Sequence, residues 1–219
     1  MREQIKAVIL DMDGVILDNN DWHLRSWLAY AEKRKIPLRA EEAYSRVFGK
    51  TNREIILEAF PDCDESTVAE WSLEKEALYR EMYLPHFRLA EGLEDFLNRL
   101  KEAGIPLGLA SNAPMENVRF TLENGKIAHC FDVTVWAGMV DKPKPHPDIY
   151  LKTAKLLGIS ADCCLVVEDS PTGLLSAKAA GCIPVAITST YDRAFLQNYS
   201  GIVTDSFSEI SAILFKEDS

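Results

Sequence analysis

The sequence predicts an α/β protein: a doubly wound, Rossmann-like parallel-sheet core with an inserted all-helical domain. Two observations predict the sheet and one predicts the insertion. Short continuous runs of apolar, partly β-branched residues recur at 7–10, 107–110, 133–135, 165–167 and 184–187, as expected of strands buried on both faces. Most of these runs are separated by helical repeats, such as Leu93, Phe96, Leu97 and Leu100 closed by Gly104, and alternation of this kind builds a parallel sheet covered by helices. Residues 19–86 instead carry helical patterns and no convincing strand. The expected organisation is therefore a core of residues 1–18 and 87–219, interrupted by a helical cap domain of residues 19–86.

Composition sets the outer limits. With 219 residues, 47% of them hydrophobic, the chain can bury a sizeable core, and disorder is excluded. A formal charge of -10 argues against non-specific binding to nucleic acid or to an anionic membrane, both of which need a basic footprint. Cys63, Cys130, Cys163, Cys164 and Cys182 form an odd set without a C-x-x-C pair, which fits neither a disulfide framework nor a zinc site. Reduced thiols and a cytoplasmic location are expected. No apolar stretch approaches the roughly 18 residues that suggest a membrane span, and the N-terminus lacks a long apolar signal region.

The first strand runs into VILDMDGVILD, where Asp11 and Asp13 lie two residues apart and so point to the same side of an extended chain. Gly14 then permits a sharp turn. Two like charges so placed need a cation, or one must stay protonated. Within the insertion, Leu24, Trp27, Leu28 and Ala31 form one apolar stripe, and Tyr44, Val47 and Phe48 another before Gly49. Thr51, Asn52, Arg53 and Glu54 read as a capping box opening the helix of Ile55, Ile56, Ala59 and Phe60. A last helix carries Trp71, Leu78 and Met82. Such an insertion, directly after the first strand loop, could act as a lid over the strand ends.

The second strand ends in LGLASNAP, leaving Ser111 and Asn112 before Pro114, whose fixed φ suits a first helical turn. Hydroxyl and backbone N–H groups there suit a phosphate. The loop DKPKPHPDIY offers Lys142 and Lys144 among three prolines, either able to present a compact positive charge to a phosphoryl oxygen. The strand in CLVVEDSPTG ends in a second acidic pair, Glu168 and Asp169. Carboxylates converging from two strand ends make an all-oxygen site suited to Mg²⁺ together with a substrate phosphate.

In this order the motifs resemble the haloacid dehalogenase (HAD) superfamily, and within it the β-phosphoglucomutase-like phosphatases with a helical cap. DMDGVILD, LASNA, KPHPDIY and VVEDSPTGLLSAKAAG are similar to its four core motifs, and NNDWHLRSW and FGKTNREI to its cap hinge and first cap loop. RLAEGLEDFL departs from the Pro-Gly usual after the cap. The resemblance implies that Asp11 is the nucleophile and Asp13 the general acid and base. It implies a Mg²⁺ site of Asp11, Asp13, Glu168 and Asp169, and a phosphate clamp of Ser111, Asn112 and Lys144, the last preferred over Lys142 by its spacing to Tyr150. In the cap it points to His23, Arg53 and Lys75, against which a solvated helix face stands as the plain reading of Arg53 and Lys75. The expected activity is Mg²⁺-dependent hydrolysis of a small phosphorylated sugar or polyol through an aspartyl-phosphate by a monomer or dimer, the alternatives being a β-phosphoglucomutase-type isomerase and a non-catalytic phosphate-binding module.

Overall fold

The computed structural model describes residues 2–47 and 50–215. The chain forms two compact units, Met1–Asp18 with Arg88–Ser219, and Asn19–Phe87. Phe87, expected to begin the returning core segment, groups with the second unit, its ring centroid 5.7 Å from that of Tyr83.

The second unit is helical: α1 (Asn20–Arg34), α2 (Ala40–Val47), α3 (Asn52–Ala59) and α4 (Glu65–Tyr83). Its core gathers Trp27, Tyr30, Ile36, Val47, Ile55, Ile56 and Val68. The expected capping box is present: Glu54 N–H donates to Thr51 Oγ1 at 3.3 Å and Thr51 N–H to Glu54 Oε2 at 2.6 Å, so two orphan donors at the start of α3 are satisfied. Phe48 and Gly49, expected in the first substrate loop, lie outside the described residues. One expectation is corrected in α4. Trp71, Leu78 and Met82 are only half-buried, and the deeply buried stripe is Val68, Lys75, Tyr79 and Tyr83, with Glu76 beside it. The solvated-face reading of Lys75 therefore fails, because its charge is buried against the Glu76 carboxylate.

The first unit holds six parallel strands among its described residues: β1 (Ala7–Leu10), β2 (Leu107–Ser111), β3 (Val133–Trp136), β4 (Cys164–Glu168), β5 (Ile183–Ile187) and β6 (Val203–Thr204), ordered β3-β2-β1-β4-β5-β6. The two-residue edge strand β6 is too short to register as a periodic signal. Helices α5 (Leu93–Glu102), α6 (Met115–Asn124), α7 (Asp148–Leu157), α8 (Pro171–Ala179), α9 (Arg193–Leu196) and α10 (Phe207–Phe215) complete the unit. Pro114 caps α6 from outside, at φ -68° and ψ 160°, rather than standing in its first turn.

Every residue of β1 is fully buried because both of its neighbours are strands and both faces are covered. Ala7 and Ile9 share one cluster with Ala110, Cys164, Val166, Ile149, Tyr150 and Ala177, so this face of the sheet lies against α7 and α8. The strand order reverses between β1 and β4, and at such a switch point the crossovers diverge and leave a crevice beyond the carboxyl ends. The acidic pairs follow these two strands. None of the five cysteines forms a disulfide; burial pushes the Cys164 thiol up to about 11 and that of Cys182 to about 12. No helix among the described residues is long and apolar enough to cross a membrane.

Candidate active site

Pairing with β4 continues one residue past β1, where Asp11 N–H donates to Val167 O at 3.1 Å. Asp11 is thereby fixed by the sheet rather than by a loop. The chain then turns tightly, with Val15, Ile16 and Leu17 N–H all directed at Met12 O, and Gly14 takes φ 77°, a region that a Cβ would oppose. Asp13 sits half-buried within this turn.

Lys144 is buried, whereas Lys142 is exposed. The Lys144 ammonium donates to Asp11 Oδ1 at 2.5 Å, Glu168 Oε1 at 2.7 Å and Ala110 O at 3.0 Å, one acceptor for each of its protons. Asn112 grips the loop that carries this lysine, accepting Lys144 N–H at 3.1 Å and reaching Lys144 O at 3.5 Å. Its side-chain amide is therefore engaged by the Lys144 backbone. Ser111 Oγ accepts Ala113 N–H at 3.0 Å, an arrangement that keeps its own proton to donate.

Period 2 along β4 places Glu168 on the side of Cys164 and Val166, facing α7. There its Oε1 accepts from Tyr150 at 2.5 Å as well as from Lys144, while its Oε2 accepts from Ser170 Oγ at 3.1 Å and, more weakly, Ser170 N–H at 3.4 Å. A Cβ on Gly173 would fall onto this carboxylate, so only glycine admits Glu168 so close to the first turn of α8. Asp169 accepts from the Thr190 hydroxyl. Asp11, Glu168 and Asp169 each bring one oxygen within 4.8 Å of the others, all three side chains being buried.

Burial pushes the Asp11 carboxyl well above the usual carboxylate range; Lys144 opposes this, and Glu168, Asp169 and Asp13 add to it. Burial works against the Lys144 charge, but the Asp11 and Glu168 carboxylates more than offset it and hold the ammonium above its ordinary range. Burial and the adjacent Glu168 likewise push the Tyr150 phenol up, so it is a fixed donor. Among the described residues, the one Lys144 ammonium is shared by two of these carboxylates, Asp11 and Glu168.

The residues expected in the cap gather only in part. His23 stacks on Tyr79 with centroids 3.9 Å apart, and its Nδ1 lies 3.1 Å from Lys75 Nζ, which also donates to Glu76 Oε1 at 2.9 Å. Asn52 Nδ2 donates to the same Glu76 oxygen at 2.7 Å. Burial would raise the Glu76 carboxyl, but Lys75, His23 and Asn52 hold it down at about 2. Arg53 stands apart, more than half exposed and paired through Nε and Nη2 with Glu65. Sequence reasoning missed Tyr150 as a bonding group, although it marks the end of the lysine motif. It also missed Ser170, which the EDS triplet suggests only as a helix cap, and Thr190, which no motif marks.

Residues 8–187 match the family model of the haloacid dehalogenase-like hydrolases. Hexitol phosphatase A of Escherichia coli is 30% identical over 94% of this chain and 93% of its own length. The β-phosphoglucomutase of Bacillus subtilis is 31% identical over 84% of this chain and 83% of its own. Among solved structures, a HAD hydrolase of family IA, variant 3, from Entamoeba histolytica superposes with a TM-score of 0.88 at 29% identity, covering 96% of this chain and 97% of that one.

Proposed function

The chain belongs to the haloacid dehalogenase-like hydrolases, and from that premise we propose that it is a phosphatase for small phosphorylated sugars or polyols, working through an aspartyl-phosphate. The observation that carries this reading is the placement of Asp11, held by the sheet, with Lys144 on one oxygen and the carboxylates of Glu168 and Asp169 beside it. An Asp11 oxygen attacks phosphorus as the bond from phosphorus to the substrate alcohol breaks, and the Asp13 carboxyl gives its proton to that alcohol. Water then attacks the phosphorus of the aspartyl-phosphate and yields its proton to Asp13, releasing phosphate and restoring Asp11. Splitting the displacement in two lets one acid serve both halves.

The donor set fits Mg²⁺: it is all oxygen and acidic. Asp11 and Asp169, with Asp13 and with Glu168 at their side, would hold the ion, which supplies charge neutralisation between nucleophile and phosphate. Lys144 adds fixed positive charge, the Ser111 hydroxyl donates to a phosphoryl oxygen, and Asn112 keeps the lysine loop in place. The helical unit serves as the cap, with His23, Lys75 and Arg53 as its candidates for recognising the rest of the substrate.

A panel of hexitol phosphates, sugar phosphates, nucleotides and pyrophosphate, followed by phosphate release with and without a sugar bisphosphate, tests the proposal. Mg²⁺-dependent hydrolysis of several sugar or polyol phosphates without the bisphosphate is expected. Hydrolysis of none of them would overturn it. A mutase is the second reading, supported by the buried Lys75 against His23 and by a relative that is named a β-phosphoglucomutase. Conversion of β-glucose 1-phosphate to glucose 6-phosphate faster than phosphate release would favour it.

A further inference from the structure

We propose that Thr190, on the loop after β5, is a positioning residue for the Asp169 carboxylate and so sets the affinity of the cation site; the inference rests on the Mg²⁺ site proposed above. A carboxylate that must ligate a cation needs its plane fixed, because rotation about its last bond swings both oxygens away from the shared position. The Thr190 hydroxyl supplies that constraint by donating to Asp169 Oδ2. Hydrogen bonds of this kind to ligating carboxylates orient them, and their loss typically costs 10–100-fold in metal affinity.

The loop is built to hold the hydroxyl still. At its start, Thr188 N–H donates to Thr204 O at 3.0 Å and Thr188 Oγ1 to Asp205 Oδ1 at 2.7 Å, fastening it to β6 and the segment beyond. At its end, Asp192 accepts Phe195 N–H at 2.8 Å and caps α9. Between these pins, Ser189 Oγ donates to Gly14 O at 2.5 Å, tying the loop to the turn that carries Asp13. Consecutive residues of one loop thus bond to Asp169, after β4, and to the turn after β1. Five residues with no apolar period, which carry no sequence motif, link the two acidic strand ends.

Isothermal titration calorimetry with Mg²⁺ on the full chain tests the proposal, using wild type, Thr190→Val, Thr190→Ser and Ser189→Ala, with the unfolding midpoint of each measured in chelator. Thr190→Val keeps the shape and removes the hydroxyl, and it is expected to weaken Mg²⁺ binding 10–100-fold. Thr190→Ser should restore affinity to within about threefold of wild type, since the donor returns without the methyl group. Ser189→Ala should weaken it less than Thr190→Val does. Unchanged affinity in Thr190→Val, or equal losses in Thr190→Val and Thr190→Ser, would overturn the role of the hydroxyl while leaving the proposed function intact. Wild type that binds no Mg²⁺ would overturn both. If Thr190→Val does not fold, wild-type affinity in a folded Thr190→Gly would overturn the proposal, and weakening beyond that of Thr190→Ser would support it.

Discussion

Among the described residues, each unit buries a polar cluster built on a lysine and a glutamate, and the two balance their charge differently. In the helical unit Lys75 meets Glu76, and His23, Asn52 and two aromatic rings adjoin them. Among the described residues, the Lys75 ammonium answers the Glu76 carboxylate. In the sheet unit Lys144 meets both Asp11 and Glu168, with Asp169 and Asp13 adjoining. Among the described residues, one ammonium answers two carboxylates, Asp11 and Glu168. Burying a charge is costly unless it is paired, so a balanced cluster is explicable by the fold alone, whereas an unbalanced one implies something further that binds there. Residue type does not separate the two, since both are built on a buried lysine and a buried glutamate. Charge count does.

The largest expected effect tests that distinction at Asp11. Asp11→Asn removes the proposed nucleophile and should lower turnover of p-nitrophenyl phosphate by on the order of 10⁴-fold or more, equivalent to about 5.5 kcal/mol. It also removes one member of an acidic cluster in excess. The chelated variant should therefore unfold at no lower urea concentration than wild type, because functional carboxylates of this kind are held at a cost in stability. Loss of both activity and stability would mean that the site is balanced after all.

Glu76→Gln should do the opposite. Removing one partner of a buried pair leaves Lys75 uncompensated, a change that costs about 3 to 5 kcal/mol. Urea unfolding of the full chain at pH 7 measures it. The low end is expected, because the glutamine oxygen can still accept from Lys75 and Asn52. Full stability in Glu76→Gln would remove the contrast between the clusters.

Acid offers a second route to the same quantity. The Glu76 carboxyl lies at about 2 when folded against an ordinary 4.5. Its folded value is depressed, so its contribution is fully present above pH 4.5 and is lost as pH falls through about 2. The difference amounts to about 3 kcal/mol, at 1.36 kcal/mol per pH unit. Other carboxylates, Glu74 and Asp64 among them, are also held low and will add to acid unfolding. The informative measurement is therefore the stability gap between wild type and Glu76→Gln, which should close as pH falls from 5 to 2.5. A gap independent of pH would assign the loss to packing rather than to charge.

The sequence carried the strand ends better than it carried their surroundings. Asp11, Asp13, Glu168 and Asp169 are legible because each follows an apolar run, and Lys144 is separable from Lys142 by its motif. Buried Lys75 is not legible, because a lysine among glutamates on a helix reads as solvated until its partners are known. Its partner His23 comes from α1, and Asn52, which donates to the Glu76 carboxylate beside it, comes from the start of α3. Edge strand β6 is short, and the loop after β5 has no period, so neither leaves a pattern. What remained hidden is long-range pairing, which no local window contains.

Tyr150→Phe is the smallest of the expected effects, and it asks whether the unbalanced cluster has a fixed foundation. The phenol donates to Glu168 Oε1 from α7, and its ring lies beneath the Lys144 ammonium, 4.8 Å from Nζ to centroid. Phenylalanine keeps the ring and so most of that cation–π contact, but removes the hydrogen bond. A bond to a charged group contributes about 1.5 to 3 kcal/mol, and the low end applies because Lys144 and Ser170 still hold Glu168. About 1.5 kcal/mol of stability should be lost, with a small drop in kcat and an unchanged KM, since the phenol lies against protein groups rather than substrate. If KM rises instead, Tyr150 acts on substrate binding and the foundation lies elsewhere. If neither stability nor kcat moves, Lys144 and Ser170 suffice to hold Glu168, and the cluster is held more loosely than its hydrogen bonds imply.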